Sequence, residues 1–294
     1  MPTRWRKPSL WIYLIAGLTV MSGLGLSSPA DYPVAGDSWR VIIPAYGPEE
    51  TSLAEKYLRA GDIVVLHPPK PELRASGLPQ QPEYWIRKAE ALKARHPKIE
   101  VLFNFDSIQE LREWAPKLPA AVDWISYDYE RWQFTPEYKP DEAHTRRLFR
   151  EARRIAHKHG KRLFLTPIPF FNRRIVERAR RVGAFPKDVP PWDFGKLARI
   201  GDAFNAQLQF SLREIDHLTS TLRAMVAERR KEAPKTLFFV QVGPGPRKGR
   251  YTDDELKRAI DVIKRSGVDG VVVWFGPGMS DWGEKVLRMM RATP

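Results

Sequence analysis

Eight times along this chain a short apolar run is followed by a longer amphipathic stretch, and that alternation is the strongest constraint on its fold. The apolar runs fall at 39–46, 62–67, 99–105, 122–129, 162–168, 203–210, 236–242 and 268–275. Helical periodicity follows at 49–59, 82–95, 108–117, 141–159, 172–181, 212–231, 252–266 and 281–291, with a Pro-rich stretch at 185–192 and a short helix after the fifth of these. Gly160 reads as the stop of the fourth helix, and Thr252 with Glu255 as a capping box opening the seventh. Strands that alternate with helices argue for a parallel sheet. Eight such units in one continuous body argue for a closed (β/α)8 TIM barrel over residues 38–294 rather than an open sheet. The first strand is followed by no Gly-rich dinucleotide fingerprint, which also disfavours the open, doubly wound alternative.

Residues 1–30 stand apart. Arg4, Arg6 and Lys7 precede an apolar stretch from Trp11 to Leu26, and Ser27-Ser28-Pro29-Ala30 offers small residues for cleavage. This is the pattern of a signal peptide, with an uncleaved N-terminal membrane anchor as the alternative. The expectation is a secreted or periplasmic protein, or one anchored by that segment. The chain has no Cys, so disulfides, thiol catalysis, thiolate metal sites and a lipoprotein anchor are excluded.

The formal net charge is +14. The basic residues are spread along helices, as in Arg146, Arg147, Arg150, Arg153 and Arg154, with no nucleic-acid-binding motif beside them. They read as a solvated outer surface, compatible with contact with an anionic cell envelope but not with a nucleic acid partner.

Chemistry in a barrel of this kind sits at the C-terminal ends of the strands. The fourth run, Asp123-Trp124-Ile125-Ser126-Tyr127-Asp128-Tyr129-Glu130, becomes more acidic toward that end. Side chains alternate faces along a strand, so Ser126, Asp128 and Glu130 share one face and are expected to point into the barrel, with Tyr127 and Tyr129 toward the helices. Two carboxylates on one face repel each other. That repulsion can keep one protonated near neutral pH, as a general acid requires. The plainer alternative is that both are solvated just past the strand, or partner Arg131. The other strand ends supply Tyr46, His67, Asn104, Asp106, Gln207, Gln209, Gln241 and Trp274, and the loops after the fourth and eighth strands add Trp132, Phe134, Tyr138 and Trp282. Amides and carboxylates match sugar hydroxyls and acetamides, and indole faces match pyranose rings. Several of these have structural readings too. Gln207 and Gln209 could be satisfied buried amides, Trp274 a plug of the barrel top, His67 a packing residue and Asp106 a helix cap. His157 and His159 close a helix and read as dipole partners, not metal ligands.

These residues carry a resemblance. Asp123, Ser126, Asp128 and Glu130 fall on D-x-x-D-x-D-x-E, the fourth-strand signature of the family 18 glycoside hydrolases, with three of its four positions matched. Leu165-Thr166-Pro167, Gln209-Phe210 and Val273-Trp274 resemble the ends of the fifth, sixth and eighth strands of plant-type chitinases. The chain departs from the pattern at three places. Ser126 replaces an Asp, Asn104-Phe105-Asp106-Ser107 stands where the family has Ser-x-Gly-Gly, and Ser211 stands where it has a Tyr that positions the substrate acetamide. The resemblance implies an exported glycosidase-like barrel with a carbohydrate substrate or ligand. Glu130 would be the general acid and Asp128 its partner. Tyr46, Asn104, Gln207, Gln209, Gln241, Trp274, Trp132 and Asp106 would line the site. Acid–base hydrolysis of this kind needs no cofactor and no metal. Two alternatives stay open: a catalytically silent carbohydrate- or envelope-binding barrel, and a barrel enzyme with a non-sugar substrate.

Overall fold

The computed structural model of the chain describes residues 39–68, 81–130, 135–167, 192–209, 211–244, 251–276 and 278–292. Residues 1–30, the helix expected at 172–181, and Arg131, Trp132 and Phe134 lie outside them. Among the described residues, no helix is long and apolar enough to cross a membrane.

Eight parallel strands close into a barrel in sequence order. They are β1 (Arg40–Pro44), β2 (Ile63–Leu66), β3 (Glu100–Phe105), β4 (Trp124–Tyr129), β5 (Arg162–Pro167), β6 (Ala203–Gln207), β7 (Leu237–Val242) and β8 (Gly270–Val273), with β1 hydrogen-bonded to both β2 and β8. The described helices around them are α1 (Pro48–Tyr57), α2 (Pro82–Arg95), α3 (Ile108–Trp114), α4 (Glu142–Lys158), α5 (Phe194–Ala198), α6 (Ile215–Glu232), α7 (Asp253–Arg265) and α8 (Ser280–Ala292). The expected (β/α)8 barrel is therefore present. Its local signals work as expected too. Gly160 takes φ +67°, a conformation costly for other residues, and the chain turns off α4 there. Thr252 and Glu255 form the reciprocal cap of α7.

The period-two alternation builds two cores. Outward side chains such as Val41, Ile125, Tyr127, Tyr129 and Val271 join the large cluster between strands and helices. Inward, one side chain from each strand meets at the axis: Ile42, Ile63, Leu102, Trp124, Phe164, Ala203, Phe239 and Val272. Trp124 packs edge-on to Phe164, whose ring lies 5.4 Å from Phe239. Below this layer Glu100 takes the Arg40 guanidinium at 3.0 Å, that of Arg162 at 2.9 Å and the Trp124 indole N–H at 2.5 Å. The barrel is thus closed at its base by packed and paired groups. Above the layer the inward positions turn polar.

A second device recurs four times at the base, before every even-numbered strand. Asp62, Asp123, Asp202 and Asp269 each accept the backbone N–H of the preceding odd strand through the carboxylate, from Val41, Val101, Leu163 and Phe238 at 2.7–2.9 Å. Each backbone carbonyl accepts the first N–H of the following odd strand, from Glu100, Arg162, Leu237 and Arg40. Each carboxylate also meets a basic side chain from the helix layer: Arg291, Lys93, His157 with Arg153, and Arg229. One Asp therefore ties two strands and a helix together, four times round the barrel.

Candidate functional site

Alternation places Ser126, Asp128 and Glu130 on the inward face of β4, while Tyr127 and Tyr129 are buried in the outer cluster, as the sequence pattern requires. The outer tyrosines fix the chain that follows. Tyr127 Oη donates to Glu137 at 2.8 Å, which also accepts the Ile108 N–H that opens α3. Tyr129 Oη donates to the Lys139 carbonyl at 3.0 Å and accepts its N–H at 2.8 Å. The top of β4 is thus held from outside while its carboxylates face inward.

Around the mouth the inward positions are Asn104 on β3, Thr166 on β5, Asn205 and Gln207 on β6 and Gln241 on β7, all buried. Gln207 and Gln241 are register partners, and Ser126 pairs with Asn104. Asn205 Nδ2 donates to Gln241 Oε1 at 2.7 Å. Asn104 Nδ2 approaches Asp128 Oδ2 at 3.4 Å. Gln207 Nε2 donates to Glu130 Oε1 at 2.5 Å, and Gln209 Nε2 to Gln207 Oε1 at 3.4 Å. Tyr46 follows β1, its ring 5.9 Å from that of His67, which gives His67 the packing contact. The Tyr46 carbonyl, with that of Ala45, accepts from Lys88 Nζ. Burial pushes the Lys88 ammonium down to about 8, opposed by the charges of Glu50 and Glu55.

Trp274 follows β8, opposite β4 in an eight-strand ring. It is 43% exposed, the one large apolar side chain so exposed among the described residues. Gly243 allows that placement. A Cβ there would stand 3.3 Å from both the indole and Gln209 Cβ.

The electrostatics favour protonation of Glu130. Burial is the main cause of its raised pKa; the charge of Asp106 adds to it and the Gln207 hydrogen bond opposes it. The sequence pattern assigned that charge effect to Asp128. The carboxylate that acts is Asp106 of the neighbouring strand's end, fully buried. Nor does Asp106 cap α3, because Ser107 accepts the Glu110 N–H in that role. The Tyr46 phenol is also pushed up, first by burial and then by Asp128 and Asp106.

Two further expectations change, for Trp282 and Tyr138, and one signature position is structural. Asp123, the first position of the signature, is one of the four basal staples. It lies seven residues from Glu130, roughly 23 Å at about 3.3 Å per strand residue, so it cannot share a ligand with Glu130. Trp282 is not in a mouth loop. It lies in α8 and is buried against the barrel's outer core. Tyr138 stacks at 5.5 Å on Tyr129, on the helix side. Trp132 falls outside the described residues, as does Arg131, the partner the plainer reading gave the carboxylates. What sequence reasoning missed is the coupling of Gln207 and Asp106 to Glu130. Those residues come from other strands, and only the register brings them together.

No family model matches the chain, and no curated protein matches it. Solved structures do. A chitinase from Chromobacterium violaceum is 10% identical with a TM-score of 0.55, covering 87% of this chain and all of that one. The Group IV chitinase of Ostrinia furnacalis, solved with allosamidin, is 9% identical with a TM-score of 0.51, covering 86% and 97%. The β-methylaspartase of Clostridium tetanomorphum is 12% identical with a TM-score of 0.52, covering 90% of this chain but only 59% of the other. At these identities the likeness is one of fold. Hydrolase and lyase barrels share it, so function has to be argued from the site.

Proposed function

We propose that this chain is a glycoside hydrolase-like barrel that acts on β-linked glycans, N-acetylated or not, by general acid catalysis. The observation that carries this reading is Glu130. It is an inward carboxyl biased toward its protonated form by burial and by Asp106. It sits at the mouth of a barrel whose opposite wall presents an exposed indole. The fold likeness to two chitinases supports the same reading.

In this scheme Trp274 stacks on a sugar ring and the amides of β6 and β7 meet its polar edge. Glu130 gives its proton to the glycosidic oxygen. The bond from that oxygen to the anomeric carbon breaks, and the electron pair stays on the departing oxygen. Positive charge at the anomeric carbon is met by Asp128, or by the sugar's own acetamide, which Asp128 orients. Water then adds and returns a proton to Glu130. The apolar stretch at 11–26 carries the companion proposal of export. N-terminal sequencing of exported protein beginning between about residues 26 and 36 would support it, and an intact Met1 in the membrane fraction would favour an anchor.

One observation favours a second reading, a silent carbohydrate binder. The Ser126 hydroxyl, which stands in place of a signature Asp, is buried and has no hydrogen-bond partner among the described residues. A screen against β-linked glycans separates the two. Glu130→Gln keeps shape and loses the proton, so hydrolysis should fall at least about a hundredfold with binding retained. Binding without turnover in the parent, unchanged by Glu130→Gln, establishes the binder. Neither binding nor turnover on any glycan leaves a non-sugar substrate.

A further inference from the structure

The amides of β6 do more than line the mouth. An amide beside a carboxyl can present either its NH2 or its oxygen, and the choice decides where the carboxyl can carry a proton. Here the choice is made two residues along, at the next inward position. Gln209 Nε2 donates to Gln207 Oε1, so that oxygen is occupied by a donor and Gln207 must turn its NH2 to Glu130 Oε1. Gln209 is itself held from the helix side, because the Tyr251 hydroxyl donates to its backbone carbonyl. All three side chains are inward, and both glutamines are buried. Among the described residues Glu130 Oε2 takes no hydrogen bond, and the Gln209 Oε1 end of the chain is buried without a partner.

Building on the hydrolase reading, we propose that Gln209 and Gln207 form a directed relay that occupies Glu130 Oε1, so that Oε2 is the oxygen that carries and delivers the proton. Gln207 and Gln209 are then positioning residues for Glu130 as well as part of the mouth's lining. Gln209 acts only through Gln207. The relay also sets how readily Glu130 gives its proton up, because a donor on Oε1 stabilises the carboxylate left behind.

The test reads Glu130 directly and needs no turnover. The carboxyl of Glu130 is followed by 13C NMR of the full chain labelled at Glu, with Glu130→Gln used to assign its signal. Gln207→Leu should raise the Glu130 titration midpoint by roughly one pH unit, the scale of one hydrogen bond to a charged group. Gln209→Leu should raise it by a smaller amount. The double variant should match Gln207→Leu alone, since Gln209 has no separate route to Glu130. An unmoved midpoint in Gln207→Leu overturns the proposal, and so does an additive double variant or a null effect of Gln209→Leu. Gln207→Met and Gln209→Met serve as folding controls of similar size, each expected to reproduce its Leu variant. If a hydrolysed glycan is found, the alkaline limb of kcat/KM should follow the same order. If none is found, the hydrolase reading fails while the NMR result still decides the relay.

Discussion

Asp123 gives the sharpest test of where chemistry ends and scaffold begins in this barrel. It matches the family signature, yet its carboxylate is a basal staple. Oδ2 takes the Val101 N–H and Lys93 Nζ, both at 2.9 Å, with the side chain 23% exposed. Asp62 is the deeper member of the set. Its side chain is 2% exposed, it accepts N–H groups from Val41 at 2.9 Å and Arg59 at 2.6 Å, and it pairs with Arg291, itself 10% exposed. Asp62→Ala orphans the buried Val41 N–H, at about 1–3 kcal/mol, and the partly buried Arg59 N–H, at less, and strands a largely buried guanidinium, about 3–5 kcal/mol when a buried pair is broken. Arg291 retains the Tyr57 carbonyl at 3.1 Å, so the terms overlap, and a loss of about 4 kcal/mol is expected. Asp123→Ala orphans one N–H and releases a lysine that reaches water, so about 2 kcal/mol is expected. Urea unfolding followed by tryptophan fluorescence measures both, as a fall in midpoint at constant slope. Glycan binding or turnover per folded molecule should be unchanged in Asp123→Ala. A variant within about 0.5 kcal/mol of the parent that has lost function would refute the staple and return Asp123 to the chemistry. Equal losses for Asp62→Ala and Asp123→Ala would refute the burial argument.

Two other perturbations probe the mouth. Glu130 acts while protonated, so activity falls as pH rises through its pKa. Asp106→Asn removes a charge that raises that pKa and should move the alkaline limb to lower pH, by more than Asp128→Asn does; the pH profile of kcat/KM decides. Gly243→Ala puts a methyl 3.3 Å from Trp274 and Gln209, so the glycan Kd should rise severalfold with unfolding stability reduced by no more than about 1–3 kcal/mol; unchanged binding, measured by titration calorimetry, would remove Trp274 from the ligand surface.

The fold was legible because its signals are local. Apolar alternation, a capping box and one glycine place each described element within a few residues, and the inward face of β4 follows from period two once β4 is a strand. The site was legible only strand by strand. Glu130 is identifiable at the end of β4, but its hydrogen-bond partner Gln207 lies 77 residues away. Register, not composition, decides that they meet. The four staples show the same limit. Each is an Asp before an apolar run, noticed only at Asp123 and there for the signature, and only the pairing of odd and even strands gives it a partner. Trp282 was misplaced for a third reason. An aromatic just after a strand suggests a mouth, but α8 begins at Ser280 and packs so tightly on the barrel that a Cβ at Gly283 would stand 2.7 Å from the Phe275 ring. That contact turns the indole into the outer core.

The charge of the chain bears on the site in a way opposite to first expectation. A body of net charge +14 would draw protons off every carboxyl if its field reached them equally. Glu130 shifts the other way, so the local causes outweigh the global one. Distance and pairing explain it. Many cations lie on helices outside the barrel wall and are matched there, as in Arg112 with Glu151, Arg153 with Asp202, Arg229 with Asp269 and Arg288 with Glu284. At physiological salt the exposed ones are screened over about 8 Å, less than the width of the helix layer, about 10 Å. Burial and Asp106 act on Glu130 from inside that layer, where screening is weak. The basic surface and the acidic mouth are therefore electrostatically separate. The first governs what the outside of the protein meets, and the second governs when Glu130 holds its proton.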